Sequence, residues 1–301
     1  MNDAAYPRDM VGYGRTPPDP QWPNGARMAF NLVVNYEEGS EASFADGDGR
    51  SESPMTDLGT GPKVEGRDLA AESLLEYGTR VGFWRLHDLF TQRGIALSVA
   101  GAALALERNP EAAAAIREAG WEVLSHGWRW TYQYNMDEAT EREHIRRAVE
   151  SITRTFGTRP AGWACRYGPS LNTRRLLMEA GFTYDCNSYA DELPYWANEG
   201  GKPFLVLPHS FAHNDNKYAH GWFGPPSDFV NYMTEAFDFM YRQAARRPQL
   251  MTLALHLRLS GHPARAAALE RFLDHVLRHR DVWVSTRLDV ARHWARVCPS
   301  R

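Results

Sequence analysis

Two adjacent acidic residues, Glu37 and Glu38, are the part of this chain best suited to chemistry. They follow the apolar run 28–34, which is typical of a buried strand. Neighbouring carboxylates are costly beside apolar surface, and each raises the proton affinity of the other. Because sites in α/β proteins lie at the carboxyl ends of strands, the pair predicts an acid/base centre or half of a metal site. The alternative is that strand alternation sends the two side chains to opposite sides, with one merely solvated.

Further polar side chains occur where the later strands are predicted to end. Taken singly, each would more often be structural than catalytic, because a histidine at a strand end is usually hydrogen-bonded and an arginine usually pairs with a carboxylate. Together at one rim they predict a functional site. These residues are Ser125, His126, Arg166, Tyr167, Asp185, Asn187, Tyr189, His209, His213, Asn214, Asp215, His256, Arg258, Arg287 and Asp289.

The elements that must position these residues alternate between strand and helix patterns. Strands are predicted at 95–101, 121–126, 161–166, 182–184, 204–207, 250–256 and 282–284, and helices at 70–93, 109–120, 137–156, 172–180, 227–245, 264–278 and 289–297. Seven or eight such units predict an α/β fold with a closed or nearly closed parallel barrel. An open doubly wound sheet is the competitor, but its nucleotide-binding version is weakened because no Gly-x-Gly-x-x-Gly or Walker-type motif is present.

Composition excludes several classes of function. The 301 residues are 43% hydrophobic and carry a net charge of −3, and no basic run is present, so nucleic acid is not expected as a partner. No apolar stretch of about 18 residues predicts a membrane span, and no secretory signal is evident near the start. The three cysteines lack a Cys-x-x-Cys pair, which suits a reducing cytoplasm.

Two segments fall outside the alternating pattern. Residues 1–27 are rich in proline and aromatic residues and predict an arm that packs on its own domain or on a neighbouring subunit. Residues 39–67 form a long polar segment with five glycines up to Gly61, plus Pro54 and Pro62. A loop of this length after a first strand is typical of a lid or of a wall of a site.

The order of motifs resembles the polysaccharide deacetylase (NodB-type) superfamily. More closely, it resembles the branch that hydrolyses cyclic amides, which comprises metal-independent allantoinases and related imidases. The resemblance extends over nearly the whole chain. It rests on Tyr6-Pro7-Arg8-Asp9, Gly12-Tyr13-Gly14, Asn35-Tyr36-Glu37-Glu38-Gly39, Glu76-Tyr77-Gly78, Phe83-Trp84-Arg85, Ser125-His126-Gly127, Asn172-Thr173-Arg174-Arg175-Leu176, Leu193-Pro194-Tyr195-Trp196 and Ala291-Arg292-His293-Trp294.

The resemblance implies a distorted (β/α) barrel as a single domain over residues 1–301. Sugar deacetylases of the superfamily carry Asp-Asp-Gly and His-x-x-x-His, in which the second Asp and both histidines bind the metal. Here Glu37 takes the position of the base, and Glu38 and His126 take two metal positions, but Trp130 replaces the second histidine. An open zinc site normally needs three protein ligands, so we expect no metal cofactor. The alternative is a zinc site in which His213 or His256 completes the ligands Glu38 and His126.

The resemblance also implies a role for each site residue. Glu37 is expected to activate water, with Glu38 and His126 holding it in place and Glu38 raising the pKa of Glu37 toward neutrality. His256 is expected to protonate the leaving nitrogen, with Asp289 as its acidic partner. Arg166 could bind the carbonyl or product carboxylate, or could instead pair with Asp185 or Asp191. The expected substrate-binding residues are Trp130, Arg166, Tyr167, Tyr189 and Asn214.

The expected activity is therefore hydrolysis of a cyclic amide or ureide by base-activated water. The loops 165–171, 212–216 and 257–262 depart from the allantoinase pattern, so an imide or hydantoin ring is nearly as suitable as allantoin, the purine-catabolism case. The competing activities are a metal-dependent N-deacetylase of an amino sugar and a non-catalytic protein that binds a small ligand. Related allantoinases are oligomeric, and we expect a cytoplasmic homo-oligomer, a dimer or tetramer.

Overall fold

The computed structural model describes residues 8–58 and 64–300, and a curled sheet of nine strands lies at its centre. The hydrogen-bonded order is β6-β7-β5-β4-β3-β2-β1-β8, and β9 pairs with the first half of β1. Only the β6–β7 pair is antiparallel. The strands are β1 (Met28–Tyr36), β2 (Ser98–Gly101), β3 (Glu122–Ser125), β4 (Gly162–Trp163), β5 (Tyr184–Asp185), β6 (Tyr195–Glu199), β7 (Lys202–Val206), β8 (Leu250–His256) and β9 (Val282–Ser285).

Helices connect the parallel strands. They are α1 (Leu69–Tyr77), α2 (Phe83–Thr91), α3 (Ala103–Arg108), α4 (Pro110–Glu118), α5 (Glu138–Phe156), α6 (Thr173–Glu179), α7 (Asn216–Ala219), α8 (Pro226–Gln243), α9 (Leu257–Ser260), α10 (Pro263–Leu277) and α11 (Arg287–Val297). Helix α5 shows how local sequence sets the bounds. The Asp137 side chain accepts a hydrogen bond from Thr140 N at 2.8 Å at its start, and Gly157 follows its last residue.

The predicted α/β barrel is confirmed as a half-barrel. Within the described part of the chain, the strands at the two ends of this order, β6 and β8, do not pair with each other. Instead, the segment after β7 runs beside β8, where Asn214 and Ala254 form an isolated parallel bridge. The sequence patterns missed β6, because a short antiparallel strand on the sheet edge is largely unburied and has no apolar periodicity to show.

The two longest of the fully buried strands bring the site residues to one rim. All nine residues of β1 and all seven of β8 are buried. Their parallel register pairs Asn35 with His256, and β1 in turn pairs Tyr36 with Gly101 of β2. Gly101 pairs with Ser125 at the end of β3. Glu37, His126 and His256 therefore reach the same edge of the sheet.

The predicted helix 70–93 is divided into α1 and α2 by a π-helical turn, Gly78–Gly82. This turn packs against the residues that follow β8. A Cβ atom at Gly78 would lie 2.9 Å from both Arg258 N and Glu38 Oε1, and one at Gly82 would lie 2.4 Å from Leu257 O. Only glycine permits so close an approach, so these positions set how near the helix comes to the rim.

The N-terminal arm packs on its own chain. Trp22 is buried with its ring centroid 5.8 Å from that of Trp283, and His293 Nε2 donates to Pro20 O at 2.6 Å. Tyr6 and Pro7 of the first matching motif lie outside the described residues. The segment after β1 serves as a wall of the site, because Met55 lines the cavity described below. Among the described residues, none of the helices is both long and apolar enough to cross a membrane.

Candidate active site

A cavity of about 470 Å³ opens at the carboxyl ends of the strands. Its size is ordinary for a small-molecule site, and most of its wall is apolar or aromatic. Of the residues predicted from sequence, Glu37, His126, Trp130, Arg166, Tyr167 and Tyr189 line it. The other lining residues are Val33, Asn35, Met55, Ala100, Leu124, Tyr132, Tyr134, Ala164, Cys165, Cys186, His209, Phe211, Asn216, His220 and Arg287.

Glu37 is the carboxylate that faces this cavity. Its Oε1 lies 3.1 Å from His126 Nε2 and 3.5 Å from His256 Nε2. Its Oε2 accepts a hydrogen bond from Arg258 Nη1 at 2.7 Å. One carboxylate oxygen is thus fixed by a guanidinium, and the other is addressed by two imidazoles whose sequence positions lie far apart.

The pKa of Glu37 corrects an expectation from the sequence. Burial alone would raise this pKa, but the charges of His256 and Arg258 and the hydrogen bonds from His126 and His256 outweigh burial. The pKa of Glu37 therefore lies well below its ordinary value, and not near neutrality as the adjacent Glu38 suggested. Glu37 therefore remains ionised, because the positive charges of His256 and Arg258 lie against its carboxylate.

His256 is held from behind by Asp215. Its Nδ1 donates to Asp215 Oδ1 at 2.6 Å, and its backbone N donates to Asp215 Oδ2 at 2.8 Å. Burial would lower the pKa of His256, but the carboxylates of Glu37 and Asp215 overcome burial and raise it to about 9. The expected partner, Asp289, was wrong: it caps α11 through Thr286, whose hydroxyl donates to Asp289 Oδ2 at 2.8 Å.

His126 has one nitrogen fixed by the backbone. Its Nδ1 lies 2.9 Å from Ala164 O, and because a carbonyl oxygen only accepts, Nδ1 carries a proton. Its Nε2 is then the nitrogen that faces Glu37 and the cavity. The carbonyl at the end of β4 thus fixes the orientation of the His126 ring toward the carboxylate.

Glu38 lies behind the site and does not line the cavity. Its Oε1 accepts from Arg258 N and Arg258 Nη1, both at 3.1 Å, and its Oε2 accepts from Glu37 N at 3.2 Å. The sequence placed Glu38 in direct contact with the reacting water; the structure instead gives it to Arg258. Arg258 was visible in the sequence only as a charge beside the predicted strand-end histidine.

The donor set does not fit the zinc ion that the superfamily uses. Glu38 is turned toward Arg258, His126 Nε2 faces Glu37, and the Trp130 ring lies 4.7 Å from the Arg258 guanidinium carbon. A guanidinium already supplies positive charge between the two carboxylates, and an indole has no lone pair for a metal. His213, the alternative ligand, lines a separate depression beside this cavity.

A separate grouping of possible metal ligands lies on the outer helices. Among the described residues, Asp238, His275 and His279 are the only three His, Cys, Asp or Glu side chains whose ligand atoms converge within 4.8 Å. His275 Nε2 donates to Asp238 Oδ1 at 2.7 Å, which accounts for their proximity. The grouping lies on α8 and at the end of α10, so it has no part in the cavity.

Arg166 lines the cavity but its guanidinium is largely engaged elsewhere. It makes a bidentate pair with Glu52, with N–O distances of 2.8 and 2.9 Å, and Nη1 also donates to Trp130 O at 3.0 Å. Its predicted alternative partners, Asp185 and Asp191, were wrong, since Asp185 pairs with Arg174 at 2.9 Å. Arg166 therefore holds the wall of the cavity, while little of its fork remains for a substrate.

Of the remaining residues expected to bind substrate, the two tyrosines line the cavity and the asparagine does not. Tyr167 and Tyr189 line the cavity at its mouth, and Tyr189 Oη donates to Tyr167 O at 2.6 Å. Asn214 does not line it: its Oδ1 accepts from Asn216 N at 2.8 Å, and Asn216 lines the cavity in its place. The physical reason is that Asn214 belongs to the segment that bridges to β8, which turns its side chain into the local turn.

Sequence reasoning gave no role to His209 or Arg287, which also line the cavity. Burial lowers the pKa of His209 to about 3, helped by the charges of Arg287, His256 and His126, so this imidazole is neutral. Arg287 is fully buried, and its Nη2 donates to Pro208 O at 2.8 Å. The only signal for either was its position at a predicted strand end.

The curled half-barrel sheet matches the fold of the NodB-type deacetylases. The chain belongs to the polysaccharide deacetylase family, whose model, described as "Polysaccharide deacetylase", matches residues 75–184. Hydrolases of this family act on C–N bonds.

Three similar proteins cover almost the whole chain. A protein of Schizosaccharomyces pombe named "Putative polysaccharide deacetylase" is 35% identical over 96% of this chain and 97% of its own length. The crystal structure of PuuE allantoinase is 42% identical with a TM-score of 0.94, covering 99% of this chain and 100% of that one. A "probable Polysaccharide deacetylase" structure from Pseudomonas aeruginosa PAO1 is 44% identical with a TM-score of 0.94, covering 98% and 100%.

Proposed function

We propose that this protein hydrolyses a cyclic amide, such as an imide, a hydantoin or allantoin, by water that Glu37 activates without a metal ion. The observation that carries the proposal is the position of Arg258, whose Nη1 lies 2.7 Å from Glu37 Oε2 and 3.1 Å from Glu38 Oε1. The Arg258 guanidinium thus supplies the positive charge between the two carboxylates. Glu37 Oε1 remains directed toward the cavity and the two histidines. The likeness to a structure named allantoinase supports a cyclic substrate.

In the first step, water lies between Glu37 Oε1 and a ring carbonyl. Glu37 takes a proton from the water as the oxygen bonds to the carbonyl carbon, which gives a tetrahedral oxyanion. His126 Nε2, which contacts Glu37 Oε1, faces the same space and is the lining group best placed to donate to that oxyanion. Because Glu37 is ionised before the substrate arrives, no proton must first be removed from the enzyme.

In the second step, the carbon–nitrogen bond of the ring breaks. Glu37 passes the proton taken from water to the leaving nitrogen, which regenerates the carboxylate and yields an open-chain acid. His256 lies behind Glu37 and does not line the cavity, so we assign it a positioning role in place of direct donation. Its charge, fixed by Asp215, favours the ionised form of Glu37 between turnovers.

The competing activity is metal-dependent removal of an acetyl group from an amino sugar. The family name and the names of several relatives favour it. It needs a divalent ion at the position of Glu38 and His126, where the side chains here are committed to Arg258 and Glu37. A third possibility, a non-catalytic ligand-binding protein, is disfavoured because both the base and the histidines are in place.

A substrate panel with metal control tests the proposal. Ring opening of allantoin, succinimide, maleimide and hydantoin is followed by loss of ultraviolet absorbance, and acetate release is followed from chitin oligomers and peptidoglycan. The protein is assayed as purified, after chelation with metal analysis, and after addition of zinc. We expect ring opening that is unchanged by chelation. Acetate release that disappears on chelation and returns with zinc would instead establish the deacetylase.

A further inference from the structure

Four aromatic side chains surround the mouth of the cavity, each from a different segment. Tyr134, Tyr167, Tyr189 and Phe211 all line it, and they are exposed by 47%, 65%, 43% and 44% respectively. We call this set the aromatic collar. Large aromatic side chains that are both exposed and grouped mark a binding surface, because they gain most when a ligand covers them.

Contacts within the collar hold its rings in place. The rings of Tyr189 and Phe211 are stacked with centroids 4.3 Å apart and planes inclined by 21°. Tyr134 meets Tyr167 edge to face at 6.1 Å, and Tyr189 Oη donates to Tyr167 O at 2.6 Å. The collar is therefore a preorganised surface, which reduces the entropy lost when a ligand binds.

The backbone of Tyr167 supports this conclusion. Its φ angle is +62°, in the left-handed region that bulky residues rarely adopt. Strained backbone of this kind persists where the surroundings impose it and is concentrated at ligand-binding sites. Here the strained residue presents its ring at the mouth of the cavity and its carbonyl to Tyr189.

The collar differs in chemistry from the base of the cavity. Glu37 and His126 lie at the strand ends, whereas three collar residues lie on loops, Tyr134 lies in the 3-10 helical turn Gln133–Asn135, and none of the four is charged. A bare five-membered ring held against Glu37 fills only part of about 470 Å³ and leaves the collar uncovered. A planar aryl substituent would cover the aromatic faces of the collar and gain more from that contact than a small polar substituent would.

We propose that the preferred substrate is a cyclic amide whose ring carries a planar, uncharged aromatic group, which the aromatic collar covers while Glu37 attacks the ring. This inference rests on the proposed function and specifies its substrate class. Covering the face of an aryl group by stacking contributes enough free energy to raise kcat/KM by about tenfold to a hundredfold over the unsubstituted ring.

Paired substrates test the inference. The values of kcat/KM are compared for succinimide and 2-phenylsuccinimide, and for hydantoin and 5-phenylhydantoin, each divided by the rate of alkaline hydrolysis of the same compound. That division removes the electronic effect of the phenyl group. We expect the aryl compound of each pair to be favoured by at least about tenfold, because its ring buries additional apolar area.

Two collar variants and one matched control complete the test. Phe211→Ala and Tyr134→Ala should each lower the preference for the aryl compound toward equality. Phe239→Ala removes a phenylalanine on α8 that is at least as exposed and does not line the cavity, and it should leave the preference unchanged. Thermal unfolding of each variant shows whether the fold is retained, which is expected because the substituted side chains are exposed.

The outcomes separate this inference from the proposed function. Opening of the parent rings without preference for the aryl compounds, or a preference that both collar variants retain, overturns the collar and leaves ring hydrolysis intact. Failure of both parent and aryl rings to open overturns the proposed function, and the collar inference with it. A preference in the unaltered protein that falls in both collar variants supports the inference.

Discussion

Two groups of buried ion pairs each place an arginine beside the Trp130 ring. They differ in which carboxylate oxygens the arginine leaves unoccupied. The guanidinium carbons of Arg166 and Arg258 lie 3.6 and 4.7 Å from the centre of its ring. On the first side, Arg166 pairs with Glu52; on the second, Arg258 pairs with Glu37 and Glu38. All of these charged side chains are at most 5% exposed.

The difference is in how the carboxylates are used. Glu52 receives both arms of Arg166 and does not line the cavity, so both of its oxygens are occupied. Arg258 divides one nitrogen between two carboxylates and therefore leaves Glu37 Oε1 to His126, His256 and the cavity. A buried arginine thus leaves one carboxylate oxygen open to the cavity where it is shared, and occupies both oxygens where it is not.

The largest effect should come from Glu37→Gln. The amide keeps the shape of the side chain but cannot take a proton from water, so kcat should fall by at least about a thousandfold. Glu52→Gln makes the same change on the other side of Trp130 and should retain a kcat close to that of the unaltered protein. Steady-state kinetics and circular dichroism measure both. Appreciable turnover by Glu37→Gln would remove the base from the proposed mechanism.

Next in size is the loss from Arg258→Met. Removing the guanidinium leaves two buried carboxylates uncompensated, so the pKa of Glu37 should rise and kcat should fall by about a hundredfold. Because a base acts only above its pKa, the acid limb of the kcat/KM profile should move to higher pH. Arg258→Lys should move it less. An unmoved acid limb in a folded Arg258→Met protein would contradict the role given to Arg258.

The pH dependence of the unaltered protein should be smaller but distinct. Because Glu37 and Asp215 raise the pKa of His256 to about 9, its charge is present below that value. Activity should fall severalfold as pH rises through about 9 and then level off, because neutral His256 keeps its Nδ1 proton toward Asp215 and no longer donates from Nε2 toward Glu37 Oε1, while Glu37 stays ionised. The stability that His256 contributes is fully present below its ordinary pKa and is lost over the same rise. Asp215→Asn should move the descending limb to lower pH, and an unshifted limb would exclude His256 as its source.

The smallest effect on kcat should come from replacing both members of the Arg166–Glu52 pair. Arg166→Met alone leaves Glu52 buried without a partner and should cost about 3–5 kcal/mol of stability. Adding Glu52→Leu removes that charge and should recover most of the loss. Denaturant unfolding measures both. If the double variant kept its fold but lost kcat as strongly as Arg258→Met, the two sides of Trp130 would be functionally equivalent.

Much of the fold could be predicted from local patterns. Helix α5 begins after Asp137 and ends before Gly157 as its capping residues indicate, and β1 and β8 are apolar runs buried along their whole length. The π-helical turn at Gly78–Gly82 could not be predicted, because the residues after β8 that it packs against are distant from it in the sequence. Apolar periodicity reports which face is buried but not what it packs against.

The sequence predicted which residues belong to the site better than it predicted how those residues pair with one another. Glu37, His126 and His256 were identified from their positions at strand ends, and they lie together. The partner of His256 is Asp215 and that of Arg166 is Glu52, which lie 41 and 114 residues away along the chain. Nothing in spacing alone distinguishes these acids from the others nearby, because pairing is decided by how loops fold across the rim.

The lack of a side chain at Gly78 and Gly82 sets the distance between the helix and the layer of charged residues beneath it. A methyl group added at either position would clash with Arg258, Glu38 or Leu257. Such a clash would also disturb Glu37, the carboxylate that faces the cavity. Among the described residues, the four collar side chains make no hydrogen bond or ring contact with this layer. Substrate specificity should therefore be changed by substituting residues at the mouth of the cavity, while the helical segment that contains Gly78 and Gly82 is left unaltered.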